Sequence, residues 1–153
     1  MYMIELLEDL LIEINDKIEN KYVLVGSLSL NFNGFDVLPK KKELDIVIID
    51  ENLFKLLQPM GKFSINENGE RTPFGEKKRM MVRTPENLFI DVYLKDELPT
   101  HNFYKLKNGK TIKIADIEDY KKHYGDMMSN YDFKKYDLDG RFVNKIINYT
   151  NLF

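Results

Sequence analysis

The stretch YVLVGSLSLNFNG, residues 22–34, joins a short apolar run to a segment of helical character through Gly26 and Ser27. The apolar run is typical of a buried strand. Ser27 belongs to the residue types that cap helices and Gly34 to those that end them, so we predict a strand, a turn and a short helix. Such a turn is either a plain connection or the mouth of a phosphate site, and the residues downstream bear on the choice.

Two later apolar stretches carry acidic side chains where a buried strand should not. Residues 43–50 read ELDIVIID, with Glu43 and Asp45 two positions apart and therefore on one face of a strand. Residues 88–94 read LFIDVYL, with Asp91 on the face opposite the alternating apolar residues. Each acid alone is more typical of a strand edge or a turn. Together they predict a site for hard divalent cations, because buried carboxylates without partners are costly.

The rest of the chain predicts a single domain over residues 1–153, with a core at about 20–115 and a helical tail at about 116–153. Residues 3–18 have the apolar spacing of an amphipathic helix. Asp50 and Asp116 are predicted to cap helices, and Asn68-Gly69 and Asn108-Gly109 predict hairpins. This order of elements favours an α+β (α/β mixed-sheet) protein, in which helices cover one mixed sheet.

The composition excludes several classes of protein. The 153 residues are 43% hydrophobic and 31% charged, which is typical of a folded domain rather than a disordered chain. Without cysteine there are no disulfides or thiolate metal sites, and we expect a cytoplasmic protein. We also expect no membrane partner and no signal peptide, because no apolar run is long enough and the N-terminus is acidic. The net charge of −2 disfavours nonspecific binding to duplex nucleic acid.

The combined motifs resemble those of the nucleotidyltransferase superfamily, the fold shared by DNA polymerase beta, poly(A) polymerases, aminoglycoside nucleotidyltransferases and small bacterial toxin and antitoxin transferases. The superfamily pattern is an apolar residue with Gly-Ser, then acid–apolar–acid–apolar, then an acid between apolar residues. It is matched here by VGS at 25–27, ELDI at 43–46 and IDV at 90–92. In the tail, Lys135, Asp137 and Asp139 resemble residues of the toxin-type enzymes. The resemblance implies a nucleotidyltransferase fold, with a central mixed β-sheet flanked by helices and a short helical C-terminal tail.

The resemblance also implies a reaction, in which a nucleoside monophosphate moves from a nucleoside triphosphate such as ATP to a hydroxyl acceptor with release of pyrophosphate. Glu43 and Asp45 would hold two Mg²⁺ ions, with Mn²⁺ as a substitute. Asp91 would hold the catalytic ion and take the acceptor's proton. Gly26 and Ser27 would face the phosphates. The acceptor stays open among an RNA such as a tRNA, a protein side chain and a small molecule.

Two basic residues complete the predicted nucleotide-binding set. Lys42 belongs to a loop next to the acids, although a solvated turn explains it equally well. Arg79 lies on a strand face that could meet phosphate, and a charged edge strand is an equal alternative. Two other functions remain open. One is a catalytically degenerate relative that binds a nucleotide or a partner protein in a toxin–antitoxin or phage–host setting. The other is an interaction domain with acids at its strand edges.

Overall fold

The computed structural model describes residues 2–37, 39, 42–67, 75–130 and 148. Its helices are α1 (Tyr2–Ile18), α2 (Gly26–Phe32), α3 (Leu53–Leu57) and α4 (Ile117–Asn130), with a 3-10 turn at Gln58–Met60. Its strands are β1 (Val23–Val25), β2 (Glu43–Ile48), β3 (Lys62–Asn66), β4 (Lys78–Arg83), β5 (Phe89–Leu94), β6 (His101–Lys105) and β7 (Thr111–Ala115). None of the helices in these ranges combines the length and apolar character that crossing a membrane requires.

The strands of the described ranges form one seven-stranded sheet in the order β3-β4-β5-β2-β1-β7-β6. Strand β1 is parallel to β7, and β2 is parallel to β5, whereas the other neighbours are antiparallel. The parallel register of β2 and β5 puts Asp45 directly beside Asp91. The antiparallel registers on either side add Val25 and Met81 to the same row. One residue from each of four neighbouring strands therefore lies in a single row across the sheet, and the two aspartates are the middle members of that row.

The predicted nucleotidyltransferase fold is wrong. That fold usually has a five-stranded sheet with helices, whereas the described part of this chain is strand-rich and its sheet has seven strands. Strand β3 extends the sheet beyond β4, and the hairpin of β6 and β7 extends it beyond β1 through the parallel pair Leu24 and Ile114. Local alternation predicts that a segment is a strand, but packing between distant segments decides which edge it joins.

Some predicted features lie outside the residues that the structure describes. They are the hairpin signal Asn68-Gly69, most of the last helix at residues 132–149, and the tail residues Lys135, Asp137 and Asp139. The amphipathic helix predicted at residues 3–18 is confirmed as α1. Asp116 is confirmed as a helix cap, because the Asp119 backbone N–H donates to its Oδ1 at 2.8 Å.

The main core lies on one face of the sheet, under α1 and α3. The stripe of α1 that faces the sheet is almost fully buried, with Leu7, Leu11, Ile14 and Ile18 each at most 1% exposed. Burial of each such side chain contributes roughly 1.5–3 kcal/mol. Side chains alternate between the faces of a strand, so Leu24 joins this core while Val23 joins a second, smaller cluster on the other face.

Helix α4 packs on that second face through Tyr120. Its hydroxyl donates to the Gly26 carbonyl oxygen at 2.9 Å and also contacts the Ser29 hydroxyl. Ser29 Oγ donates to the same carbonyl oxygen at 2.9 Å. Two hydroxyls therefore hold the turn at Gly26, and they hold it on the face that carries the odd-numbered acids of β2 and β5.

Around Lys95, α4 contributes two titratable groups with opposite pKa shifts. Burial raises the pKa of Asp119 to about 6, although the charge of Lys95 opposes this shift. Burial, with Lys95 as a smaller cause, lowers the pKa of His123 to about 4. The ordinary pKa values are about 3.9 for Asp and 6.5 for His. Because the folded protein raises the first and lowers the second, folding favours the protonated form of Asp119 and the neutral form of His123. As pH rises from about 4 to 6.5, Asp119 therefore lowers the free energy of unfolding and His123 raises it.

Asp119→Asn should expose the His123 contribution. We expect its free energy of unfolding to increase with pH more steeply than that of the wild type between pH 4 and 6.5, because the opposing group is gone. Urea denaturation at several pH values measures the slope. Glu118→Gln, on an 80% exposed side chain of the same helix, is the matched control and should follow the wild type. Equal slopes for Asp119→Asn and the wild type would contradict the assignment.

Candidate metal centre

Three acidic side chains converge on the face of the sheet opposite the main core. Glu43 and Asp45 project from β2, and Asp91 projects from the neighbouring strand β5. One carboxylate oxygen from each lies within 4.8 Å of the other two. The structure therefore brings together the three predicted acids. Glu43 and Asp45 are half-buried, and Asp91 is 1% exposed.

The donor set suits a hard divalent cation. Oxygen ligands lie about 2.0–2.1 Å from Mg²⁺ and 2.3–2.6 Å from Ca²⁺, so two ligands of one ion are at most about 4–5 Å apart. The separations within the cluster meet that limit. An all-carboxylate set on rigid strands also favours Mg²⁺, Mn²⁺ or Ca²⁺ over softer metals. Glu43, Asp45 and Asp91 are the residues that would hold such an ion.

Asp91 already has protein partners for its charge. Arg79 binds it through two parallel hydrogen bonds, from Nε to Oδ1 at 2.7 Å and from Nη2 to Oδ2 at 2.6 Å. The Tyr93 hydroxyl donates to Oδ2 at 2.9 Å. The hydrogen bond to Asp91 raises the pKa of Arg79 above its usual value. Burial, with the charges of Asp45 and Asp91 as smaller causes, raises the pKa of Tyr93, so its hydroxyl keeps its proton and remains a donor.

Tyr93 is not among the predicted site residues, although its position in the sequence indicates that it lies near Asp91. It is two positions after Asp91 on the same strand and so lies on the same face. The antiparallel register pairs it with Arg79, whose guanidinium carbon lies 5.1 Å from the centre of the tyrosine ring. The ring and the carboxylate thus hold the guanidinium from two sides.

Gly26 lies against the acids, and its lack of a side chain has a specific reason. A Cβ built there would come closer than 3.0 Å to Asp45 Oδ2 and to 3.2 Å from Asp45 Cγ. Its φ of 78° is also in the left-handed region that favours glycine. The Asp45 carboxylate occupies the space that a side chain at position 26 would need, so the glycine allows this acid to reach the cluster.

Ser27 does not cap α2. The helix begins at Gly26, with Val25 as its N-cap, and no side chain in the described residues caps it. The predicted capping is therefore wrong, because the helix starts two residues earlier than the serine pattern indicates. Ser27 is half-buried in the first turn of α2, which follows directly on Val25, the residue paired with Asp45.

The chain matches no protein-family model, no curated protein and no solved structure. The chemistry of the centre therefore follows from its own residues.

A cleft of about 410 Å³ adjoins the cluster at Glu43. Its walls combine apolar and polar side chains, and they are Lys42, Glu43, Met81, Asn87 and Phe89. Lys42 thus lies beside the predicted acids, whereas its neighbours Lys40 and Lys41 are outside the described residues. The volume falls within the range of small-molecule pockets, about 300–1,000 Å³.

Proposed function

We propose that the chain is a nucleotidyltransferase that depends on a divalent cation, Mg²⁺ or Mn²⁺. It would transfer a nucleoside monophosphate from a nucleoside triphosphate to a hydroxyl acceptor, which is an RNA such as a tRNA, a protein side chain or a small molecule. The observation that carries the proposal is the convergence of Glu43, Asp45 and Asp91 within 4.8 Å on adjacent strands. The reaction depends on positioned carboxylates, and the same chemistry recurs on unrelated folds.

The residues of the centre have distinct roles in this reaction. Glu43 and Asp45 bind the cation, which when bound neutralises the triphosphate and lowers the pKa of the acceptor hydroxyl. The acceptor oxygen forms a bond to the α-phosphorus, and the bond from that phosphorus to the bridging oxygen breaks, so that pyrophosphate leaves with the electron pair. Asp91 accepts the acceptor's proton. The turn at Gly26 and Ser27 lies beside Asp45, where its backbone N–H groups can bind phosphate oxygens.

The nucleoside fits the cleft next to Glu43. Phe89 offers an aromatic surface, and Met81 offers a polarizable one. Asn87 Oδ1 accepts a hydrogen bond from Arg83 Nε at 2.7 Å, which orients its amide in the wall of the cleft. Lys42 adds a positive charge at the same wall, so the cleft can hold a base while the phosphates extend toward the acids.

A transfer assay tests the proposal. The protein is incubated with each of the four α-labelled nucleoside triphosphates, Mg²⁺ or Mn²⁺, and total RNA or protein extract. We expect label to move to an acceptor and the movement to be lost in Asp45→Asn. Nucleotide binding without transfer across these acceptors would instead support the second candidate, a nucleotide-binding protein without catalysis. The two hydrogen bonds from Arg79 to Asp91 favour that candidate, because the guanidinium neutralises the carboxylate without a metal ion.

Phe89→Trp should report nucleoside binding directly. The chain has no tryptophan, so the new indole is a unique fluorophore in the wall of the cleft. We expect nucleosides and nucleoside triphosphates to quench its emission by stacking, and inorganic tripolyphosphate to leave it unchanged. Phe103→Trp, at a 67% exposed position on β6, is the matched control and should not respond. If no nucleoside affects the indole at position 89, the cleft is not the nucleoside site.

A further inference from the structure

The bonds between Arg79 and Asp91 conflict with a role for Asp91 as a cation ligand. Both carboxylate oxygens of Asp91 accept hydrogen bonds from the guanidinium, and Oδ2 accepts a third from Tyr93. A divalent ion needs at least one of these oxygens and brings two positive charges close to the guanidinium. Like charges at such distances repel strongly away from bulk water. A cation at Asp91 would therefore compete with the Arg79 guanidinium for this carboxylate.

Glu76 offers the guanidinium another partner. It lies three residues before Arg79 and is 6% exposed. Both of its carboxylate oxygens are buried and accept no hydrogen bond from the described residues. A buried carboxylate in that condition is costly, and native proteins usually pair such groups. Its charge acts on Arg79, as a minor cause of the raised pKa of that group, and also on Lys95, so both cations interact electrostatically with it.

We propose that Arg79 is a latch on the metal centre: its guanidinium holds Asp91 when no divalent cation is bound, and it moves to Glu76 when a cation takes Asp91. This inference rests on the proposed function only in that a cation binds at Glu43, Asp45 and Asp91. Arg79 is thus a positioning residue, which competes with the cation for one carboxylate. The exchange keeps a cationic partner at Asp91 in both states, and in the second state it gives the Glu76 oxygens a hydrogen-bond donor.

Mn²⁺ binding by calorimetry tests the competition without any assay of catalysis. We expect Arg79→Gln to bind Mn²⁺ about 10-fold more tightly than the wild type, because the competing guanidinium is gone and Asp91 is left without its charge partner. Arg83→Gln is the matched control, since it removes the same charge from the same face of β4, four residues away. It should change the affinity by no more than about twofold, as exposed charges usually do.

Two further variants keep the test decisive if Arg79→Gln does not fold. Arg79→Lys retains the charge but lacks the planar fork that makes two parallel bonds, and it should bind Mn²⁺ more tightly than the wild type. Glu76→Gln removes the second partner of the guanidinium, and it should bind Mn²⁺ several-fold more weakly. In the wild type, Mg²⁺ should also shift the ¹⁵N-detected Nε–H signal of Arg79, and Glu76→Gln should suppress that shift.

The possible results separate the latch from the proposed function. If Mn²⁺ binding depends on Asp45 but both Arg79 variants bind like Arg83→Gln, the latch is overturned and the metal centre stands. If the Arg79 variants bind Mn²⁺ more weakly than the wild type, Arg79 supports the site and the latch is again overturned. If Mn²⁺ binds only after Arg79 is replaced, the latch is supported in its strongest form. If no variant binds Mn²⁺, the metal centre itself is wrong and the latch fails with it.

Discussion

Asp45→Asn should abolish divalent-cation binding at the centre and, with it, nucleotidyl transfer. Asp45 is the middle member of the cluster: it shares a strand with Glu43, is paired in register with Asp91, and contacts the turn at Gly26. The substitution keeps the shape of the side chain and removes its charge. Replacement of groups that merely orient metal ligands costs about 10–100-fold in affinity, so we expect the loss of a ligand to exceed about 100-fold.

Calorimetry with Mn²⁺ and the transfer assay measure the two effects separately. Asp50→Asn is the matched control, because it makes the same substitution just beyond the end of β2, at an exposed residue outside the cluster. Its Oδ1 accepts a hydrogen bond from the Asn52 backbone N–H at 3.0 Å, which an asparagine can also accept. If Asp45→Asn bound Mn²⁺ with the affinity of the wild type, the metal centre would not lie on this face of the sheet.

Gly26→Ala should reduce both the stability of the protein and its affinity for Mn²⁺, for two different physical reasons. The left-handed φ of 78° costs a non-glycine residue about 1–2 kcal/mol. The new Cβ would also come too close to Asp45 Oδ2, and the carboxylate would have to swing away, because it is the flexible end of a side chain. We expect the displaced ligand to lower Mn²⁺ affinity by about 10–100-fold.

Gly34→Ala separates these two causes. Gly34 has a similar left-handed φ of 94°, but a Cβ there would meet no described atom within 4 Å. It should therefore lose a comparable free energy of unfolding and keep the Mn²⁺ affinity of the wild type. Urea denaturation and calorimetry on both variants make the comparison. Equal Mn²⁺ affinities in the two variants would show that Gly26 matters only for its backbone conformation.

Local patterns were sufficient to find the acids and the strands that carry them. The two-residue spacing of Glu43 and Asp45 places both on one face of any strand, and the apolar residues around Asp91 mark it as an exception within its own strand. The sequence could not give the register that sets Asp45 beside Asp91, because that register depends on packing between distant strands. The same limitation explains the incorrect fold class.

The roles of single residues near the acids were harder to predict. Arg79 was recognised as a candidate, but its partner lies on another strand and is reached only through the antiparallel register of β4 and β5. The pattern around Gly26 predicts a place where a phosphate approaches the backbone, but it does not show that a side chain at this position would meet the Asp45 carboxylate. The burial of Glu76 could not be predicted from the sequence, because a lone acid before a basic run is typical of a solvated segment.

The parallel pairing of β2 with β5 also decides when the carboxylates can meet during folding. Helix α3 and strands β3 and β4 lie between these strands in the chain, so their pairing closes a long loop. Contacts of such high sequence separation cost chain entropy before they stabilise the fold, and they usually form late. A chain that is still folding therefore lacks the cluster, and a cation bound there would be a ligand of the native state alone. Such a ligand would slow unfolding without accelerating folding.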